Sequence, residues 1–174
     1  MKRLLVIAAS AAALAACTST SIGPPAPPIG PPPSASEFRA QDFAWSTVPG
    51  SGTITGALTY KVGGTRYTCQ GGDVVLTPET LWSRHRMTVL YGSPINAAVP
   101  VSTVRARTPP APGEFGSLVR HATCDASNRF SFSGLPDGGW FVITLAKPAG
   151  GAGEAVAVMR RVETRGGVRS VVLN

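Results

Sequence analysis

Hydrophobic positions along the chain fall into three regimes. Leu4–Ala16 is an almost unbroken apolar run behind the basic start Met1-Lys2-Arg3. From Thr18 to Ser36 the apolar run gives way to TSTSIGPPAPPIGPPPSAS, rich in proline, serine and threonine. From about Phe38 onward, short apolar stretches return at intervals, and their period is that of strands.

Within this last region Thr53–Tyr60 alternates imperfectly, and Asp73–Thr77 is a short apolar run closed by Pro78. Arg129–Ser133 alternates strictly, which places Phe130 and Phe132 on one face. Leu135-Pro136-Asp137-Gly138-Gly139 reads as a turn, and the β-branched and aromatic run Trp140–Leu145 behind it reads as a central strand. Glu154–Val162 and Val168–Leu173 predict a closing hairpin around Arg165-Gly166-Gly167, where glycine accepts positive φ. Only Pro78–Leu90 suggests a helix, of one or two turns, with proline at an acceptable first-turn position followed by Glu79. Between Ser93 and Ser117 proline and glycine recur without period, which predicts a long surface excursion. Short strands separated by turn signals indicate an all-β fold, an antiparallel sandwich with at most one short helix.

Composition narrows the function classes. Of 174 residues 43% are hydrophobic and 14% charged, with 20 glycines and 16 prolines. Charged residues make up about a quarter of an ordinary soluble domain, so their share here is low. A coiled coil, a polytopic membrane protein, a wholly disordered chain and a cysteine-dense miniprotein are all excluded. The formal charge of +7 falls to +5 without Lys2 and Arg3, and the remaining arginines are scattered singly apart from Arg160-Arg161. Nucleic-acid binding calls for a basic stripe or cluster, so nucleic acid is not expected as a partner.

Thirteen apolar residues are too few to cross a bilayer, which takes about 20. The segment is instead a secretory signal, and Leu14-Ala15-Ala16-Cys17 resembles the lipobox of bacterial lipoprotein precursors. The resemblance implies that residues 1–16 are removed, that the Cys17 sulfur is diacylated, and that the new amino terminus is acylated. Several acyl chains give a stable anchor where one is marginal. Thr18 stands where this family's inner-membrane retention signal has aspartate, so the expected location is the outer membrane, facing the periplasm. Residues 17–37 then form a lipidated Pro-rich tether of polyproline character, able to span about 50 Å. Residues 38–174 form the domain, long enough to bury its own core.

A second resemblance covers this domain. Gly52-Thr53-Ile54-Thr55-Gly56, Val74-Val75-Leu76-Thr77-Pro78, Cys124–Phe132, Gly134-Leu135-Pro136-Asp137-Gly138 and Trp140-Phe141-Val142 follow in order. The series resembles the carboxypeptidase regulatory-like domain, a transthyretin-like (prealbumin-like) sandwich of about seven strands. Asn128 stands where that family commonly has glycine, and Asn also accepts left-handed turns. The resemblance implies no catalytic residues and a stabilising, adhesive or interaction role.

With Cys17 acylated, Cys69 and Cys124 remain in an oxidising compartment, which most simply means one disulfide. It would close about 56 residues and contribute roughly 4 kcal/mol in the chain-entropy view. The competing metal-thiolate reading lacks a CxxC spacing. His85 and His121 could join Cys69, Cys124, Asp73 or Asp125 in a metal or Cys–His site, but partly exposed histidines are the plainer reading. No G-x-S-x-G occurs and the nine acidic residues are dispersed. The glycine pairs are not followed by helix-opening patterns. Neither a catalytic set, a metal site nor a cofactor is expected.

Trp45, Trp82, Trp140, Tyr60, Tyr67 and Tyr91 could form a stacking platform for sugar rings or simply pack a core. Trp82 and Tyr91 flank Arg84, His85 and Arg86 in the segment that interrupts the strand pattern. Irregular segments on a rigid scaffold often carry recognition, so Trp82, Arg84, Arg86 and Tyr91 are the candidate binding residues. The functional expectation is a non-enzymatic, lipid-anchored envelope protein that binds a protein or other envelope component. The alternatives are carbohydrate or peptidoglycan binding through the aromatics, or a hydrolase or its accessory module.

Overall fold

The computed structural model describes residues 34–174; the expected signal segment, the expected lipidation site Cys17 and the expected tether as far as Pro33 lie outside them. Ten strands form two sheets. The smaller sheet has β1 (Gly52–Leu58) at its centre, parallel to β10 (Val168–Leu173) and antiparallel to β7 (Arg129–Leu135). In the larger sheet β8 (Gly138–Pro148) is central. One side of β8 holds β9 (Val156–Thr164), followed by β5 (Asn96–Pro100). Its other side pairs first with β4 (Asp73–Pro78), followed by β6 (Arg120–Thr123), and nearer its end with β3 (Thr65–Thr68). The short β2 (Lys61–Val62) completes a ribbon with β3. The fold is the all-β sandwich expected.

The strand runs with clear alternation form as the pattern requires. Phe130 and Phe132 of β7 both point inward, and a Cβ on Gly56 in the neighbouring β1 would lie 2.0 Å from the Phe130 ring. Glycine there lets the ring lie flat on the strand. The layer between the sheets contains Ile54, Leu58, Phe130, Phe132, Leu135, Val171 and Leu173 facing Val74, Leu76, Trp140, Val142 and Val158.

The larger sheet is covered on its other face as well. Trp140 and Phe141 are both fully buried, although consecutive strand residues point to opposite faces. Trp140 enters the sandwich, and Phe141 packs with Ala157 and Met159 beneath Met87, Leu90 and Tyr91. Those three belong to α1 (Leu81–Tyr91), a helix of 11 residues where one or two turns were expected. Its start is fixed by a reciprocal cap: the Ser83 N–H donates to Thr80 Oγ1 at 3.1 Å and the Thr80 N–H donates to Ser83 Oγ at 2.8 Å. Its end is set by Gly92 at φ 75°, whose N–H donates to the Thr88 carbonyl.

Two further expectations differ from the structure. The 93–117 excursion is organised, containing β5, a second helix α2 (Val101–Arg107) and a 3-10 helix at Gly113–Leu118. The described residues thus contain two α-helices where at most one was expected. The last two strands do not form a hairpin: β9 pairs with β8 and β5, whereas β10 crosses to the smaller sheet beside β1. Val156, Ala157, Val158 and Met159 are consecutive and all buried, so β9 needs cover on both faces and partners on both edges. Its place between β8 and β5 leaves no free edge for β10. The glycines at 166 and 167, at φ 63° and 62°, carry the chain from one sheet to the other.

A candidate binding groove beside the first helix

The capped start of α1 projects Trp82 and Arg86 from one helix face, four residues apart. Trp82 is 8% exposed and sits among aromatic edges: Phe38 at 5.0 Å, Phe115 at 4.9 Å and Phe43 at 6.3 Å between ring centroids. Phe38 and Phe43 come from the stretch that runs into a 3-10 helix (Ala40–Thr47) and Phe115 from the excursion, so two segments distant in sequence close around the helix. The Arg86 guanidinium lies 5.4 Å from the Trp82 ring and 5.9 Å from that of Phe115, and donates to the Pro109 carbonyl at 3.3 and 3.2 Å. Burial lowers its pKa from the ordinary arginine value.

Outside this cluster runs a groove of about 450 Å³, walled by Phe38, Trp82, Arg86 and Val89 with Pro109, Pro110 and Pro112, and edged by His85 and Ser36. No carboxylate lines it. Pro109, Pro110 and Pro112 are stiff and cannot donate hydrogen bonds, so this wall is preformed and presents mostly carbon.

The four candidate residues therefore separate. Trp82 and Arg86 meet in the groove. Tyr91 lies on the other side of the helix, against the sheet, where burial pushes its hydroxyl up to about 12. Arg84 turns toward the residue before the helix cap and pairs with Glu79. Phe38 and the proline wall complete the groove, with Phe115 packed behind Trp82. Residues so distant in sequence carry no local signal, although aromatics beside proline in the excursion hint at packing.

Glu79 ties the helix start to β9. Arg161 donates to it through Nε at 2.8 and 2.9 Å and approaches through Nη2 at 2.6 Å, while Arg84 holds its other side. A Cβ on Gly139 would collide with the Glu79 carboxylate, so glycine there admits it. Burial pushes the Glu79 carboxyl up, but hydrogen bonds from Arg161 and Arg84 outweigh it and hold the carboxyl below its ordinary value. A depressed folded pKa stabilises the protein above the unfolded value of 4.5, and this contribution disappears as pH falls through the folded value. Glu79→Gln is expected to cost about 2 kcal/mol at pH 7. Denaturant midpoints should show the gap to wild type narrowing below pH 4.5; a gap independent of pH would refute the linkage.

His121 and Asp73 pair at 2.8 Å with both side chains 56% exposed, and His85 is exposed at the groove edge. Cys69 and Cys124 are joined in a disulfide and both buried. Among the described residues no group of three or more His, Cys, Asp or Glu is placed to hold a metal.

No family model and no curated protein matches the chain. The domain is similar to a crystal structure from Pseudomonas aeruginosa of a "putative carbohydrate binding protein", with 22% identity and a TM-score of 0.59. The match covers 79% of this chain and 97% of the other. At this identity the likeness establishes a shared fold.

Proposed function

We propose that this chain is a non-enzymatic binding module of the bacterial envelope, anchored through lipid on Cys17 to the outer membrane and facing the periplasm. Its groove beside α1 receives an apolar segment of an envelope protein. The resemblance of Leu14–Cys17 to a lipobox and the Pro-rich stretch behind it support the location, and the resemblance to a regulatory-like domain supports the class.

The observation that carries this reading is the groove itself, preformed, walled by rings and prolines, and free of carboxylates. Hydrolysis of a glycan calls for a pair of carboxylates, and acyl transfer for an activated nucleophile; neither set converges here. The rings of Trp82, Phe38 and Phe115 are turned edge to face against one another, so their planes serve the cluster. The Trp82 ring is 8% exposed, so little of it is open to a sugar, and carbon walls of this kind suit an apolar side chain. Glycan binding stands as the second reading, favoured by the description of the similar structure.

Charging the groove separates the two. His85→Glu with Val89→Glu alters exposed positions on the groove side and should leave the fold intact. Retention of envelope proteins by the immobilised domain should fall about tenfold, with binding to isolated peptidoglycan unchanged or absent. Loss of peptidoglycan binding alone would favour the glycan reading. For the anchor, Cys17→Ser should abolish metabolic lipid labelling and leave the precursor unprocessed; labelling that persists would refute acylation at Cys17.

A further inference from the structure

A second cleft lies at the end of the sandwich, at the junction of β1, the β2–β3 ribbon and the turn before β7. Its volume is about 300 Å³, and Tyr60, Tyr67, Lys61, Arg66 and Asn128 line it. Three features of these residues call for a ligand.

The first is charge. Lys61 and Arg66 are direct cross-strand partners on the two-stranded ribbon. Like charges placed opposite each other destabilise a strand pair, and such local conflicts concentrate where function requires them. Both residues are exposed, and among the described residues neither side chain has an acidic partner. An anion seated between them removes the conflict.

The second is a donor of fixed orientation. Asn128 is held at φ 60° in the turn, and its Oδ1 accepts from Thr68 Oγ1 at 2.7 Å and from the Cys69 N–H at 2.9 Å. A backbone N–H can only donate, so the oxygen must face it and the carboxamide nitrogen faces the other way. That nitrogen has no partner among the described residues, yet no buried side-chain atom is left unsatisfied, so it keeps contact with solvent, and Asn128 is one of the residues that line the cleft. The disulfide beside Asn128 holds this corner rigid: the Gly71 N–H donates to the Cys124 carbonyl and the Cys124 N–H to the Gly72 carbonyl.

The third is the aromatic pair. Tyr60 and Tyr67 stand 5.1 Å apart at 70°, half-buried, packed on the core on one side and lining the cleft on the other. Tyrosine combines an apolar ring with a hydroxyl, as a sugar's C–H face and hydroxyls require.

We propose that this cleft is a subsite for a pyranose ring bearing an acidic substituent. The ring lies against Tyr60 and Tyr67, the Asn128 amide donates to a ring hydroxyl, and Lys61 and Arg66 take the carboxylate or phosphate. The α1 groove takes no part, so either site can fail without the other.

The test is a titration of detergent-solubilised mature protein, followed by NMR at the Asn128 side-chain amide. Four probes are compared: glucuronic acid, glucose 6-phosphate, methyl glucoside and inorganic phosphate. One or both acidic sugars should give a saturating shift at Asn128, and which one does so identifies the acid. Methyl glucoside should bind about tenfold more weakly, as should the acidic sugars to Lys61→Gln/Arg66→Gln. That double variant removes the like-charge pair and should be at least as stable as wild type, which separates lost binding from lost folding. The proposal is overturned if no sugar shifts Asn128, if methyl glucoside binds as well as the acids, if inorganic phosphate alone reproduces the shift, or if the double variant binds unchanged.

Discussion

Replacing Cys69 and Cys124 together by alanine lowers the stability of the domain by about 4 kcal/mol, the chain-entropy value for a loop of this length. The bridge joins residues 55 apart, linking the end of β3 to the turn that precedes β7. Both cysteines are buried at the edge of the inter-sheet core. Opening the bridge frees the denatured chain and also loosens the corner where Asn128 receives the Thr68 hydroxyl and the Cys69 amide. Denaturant midpoints of the oxidised protein and the double variant measure the loss. Titration of the unfolded, non-reduced mature protein should find no free thiol at either position; two reactive thiols would refute the bridge.

Trp140→Ala has an effect of similar size, about 4 kcal/mol, from a different cause. The ring is fully buried in the inter-sheet layer, edge-on to Trp45 at 5.0 Å and beneath the Arg120 guanidinium at 5.6 Å. Its indole N–H donates to Thr164 Oγ1 at 3.1 Å, and that hydroxyl donates to the Pro136 carbonyl at 2.7 Å. Truncation leaves a cavity and removes the donor that Thr164 accepts from. Arg120 meanwhile ties β6 to the 3-10 helix at Ala40–Thr47, donating to the Ser46 carbonyl at 2.9 Å, and its stem loses its packing surface. Trp82→Ala should instead perturb the α1 groove and leave the inter-sheet core in place. Near-ultraviolet circular dichroism with thermal unfolding compares the two; equal losses would contradict this division between core and groove.

The strands that can be read from the sequence are those whose burial follows simple alternation or a long apolar run. Arg129–Leu135 and Gly138–Pro148 are of this kind. Pairing is less legible. Arg165-Gly166-Gly167 permits a hairpin or a crossover, and the choice depends on β9 being covered on one face by the smaller sheet and on the other by α1 and α2, elements distant in sequence. The length of α1 escapes notice because its cap uses serine at the third position in place of the usual acid. Within the excursion, α2 has only seven residues and proline on either side, too little for a period to show. Trp82 and Arg86 are visible as a pair because helical spacing joins them. Phe38, Phe115 and the proline wall reach them only through the fold. The Tyr60–Tyr67 cleft depends likewise on the disulfide and on one asparagine in a left-handed turn.

The central claim is that the groove beside α1 is occupied by a protein in the intact envelope. A photo-reactive side chain installed at Val89, 40% exposed on the groove wall, tests it in living cells. Val172 on the smaller sheet, 45% exposed, serves as the control position. A discrete, protease-sensitive adduct from Val89 and none from Val172 is the expected result; no adduct from Val89, or the same adducts from both positions, would contradict the account.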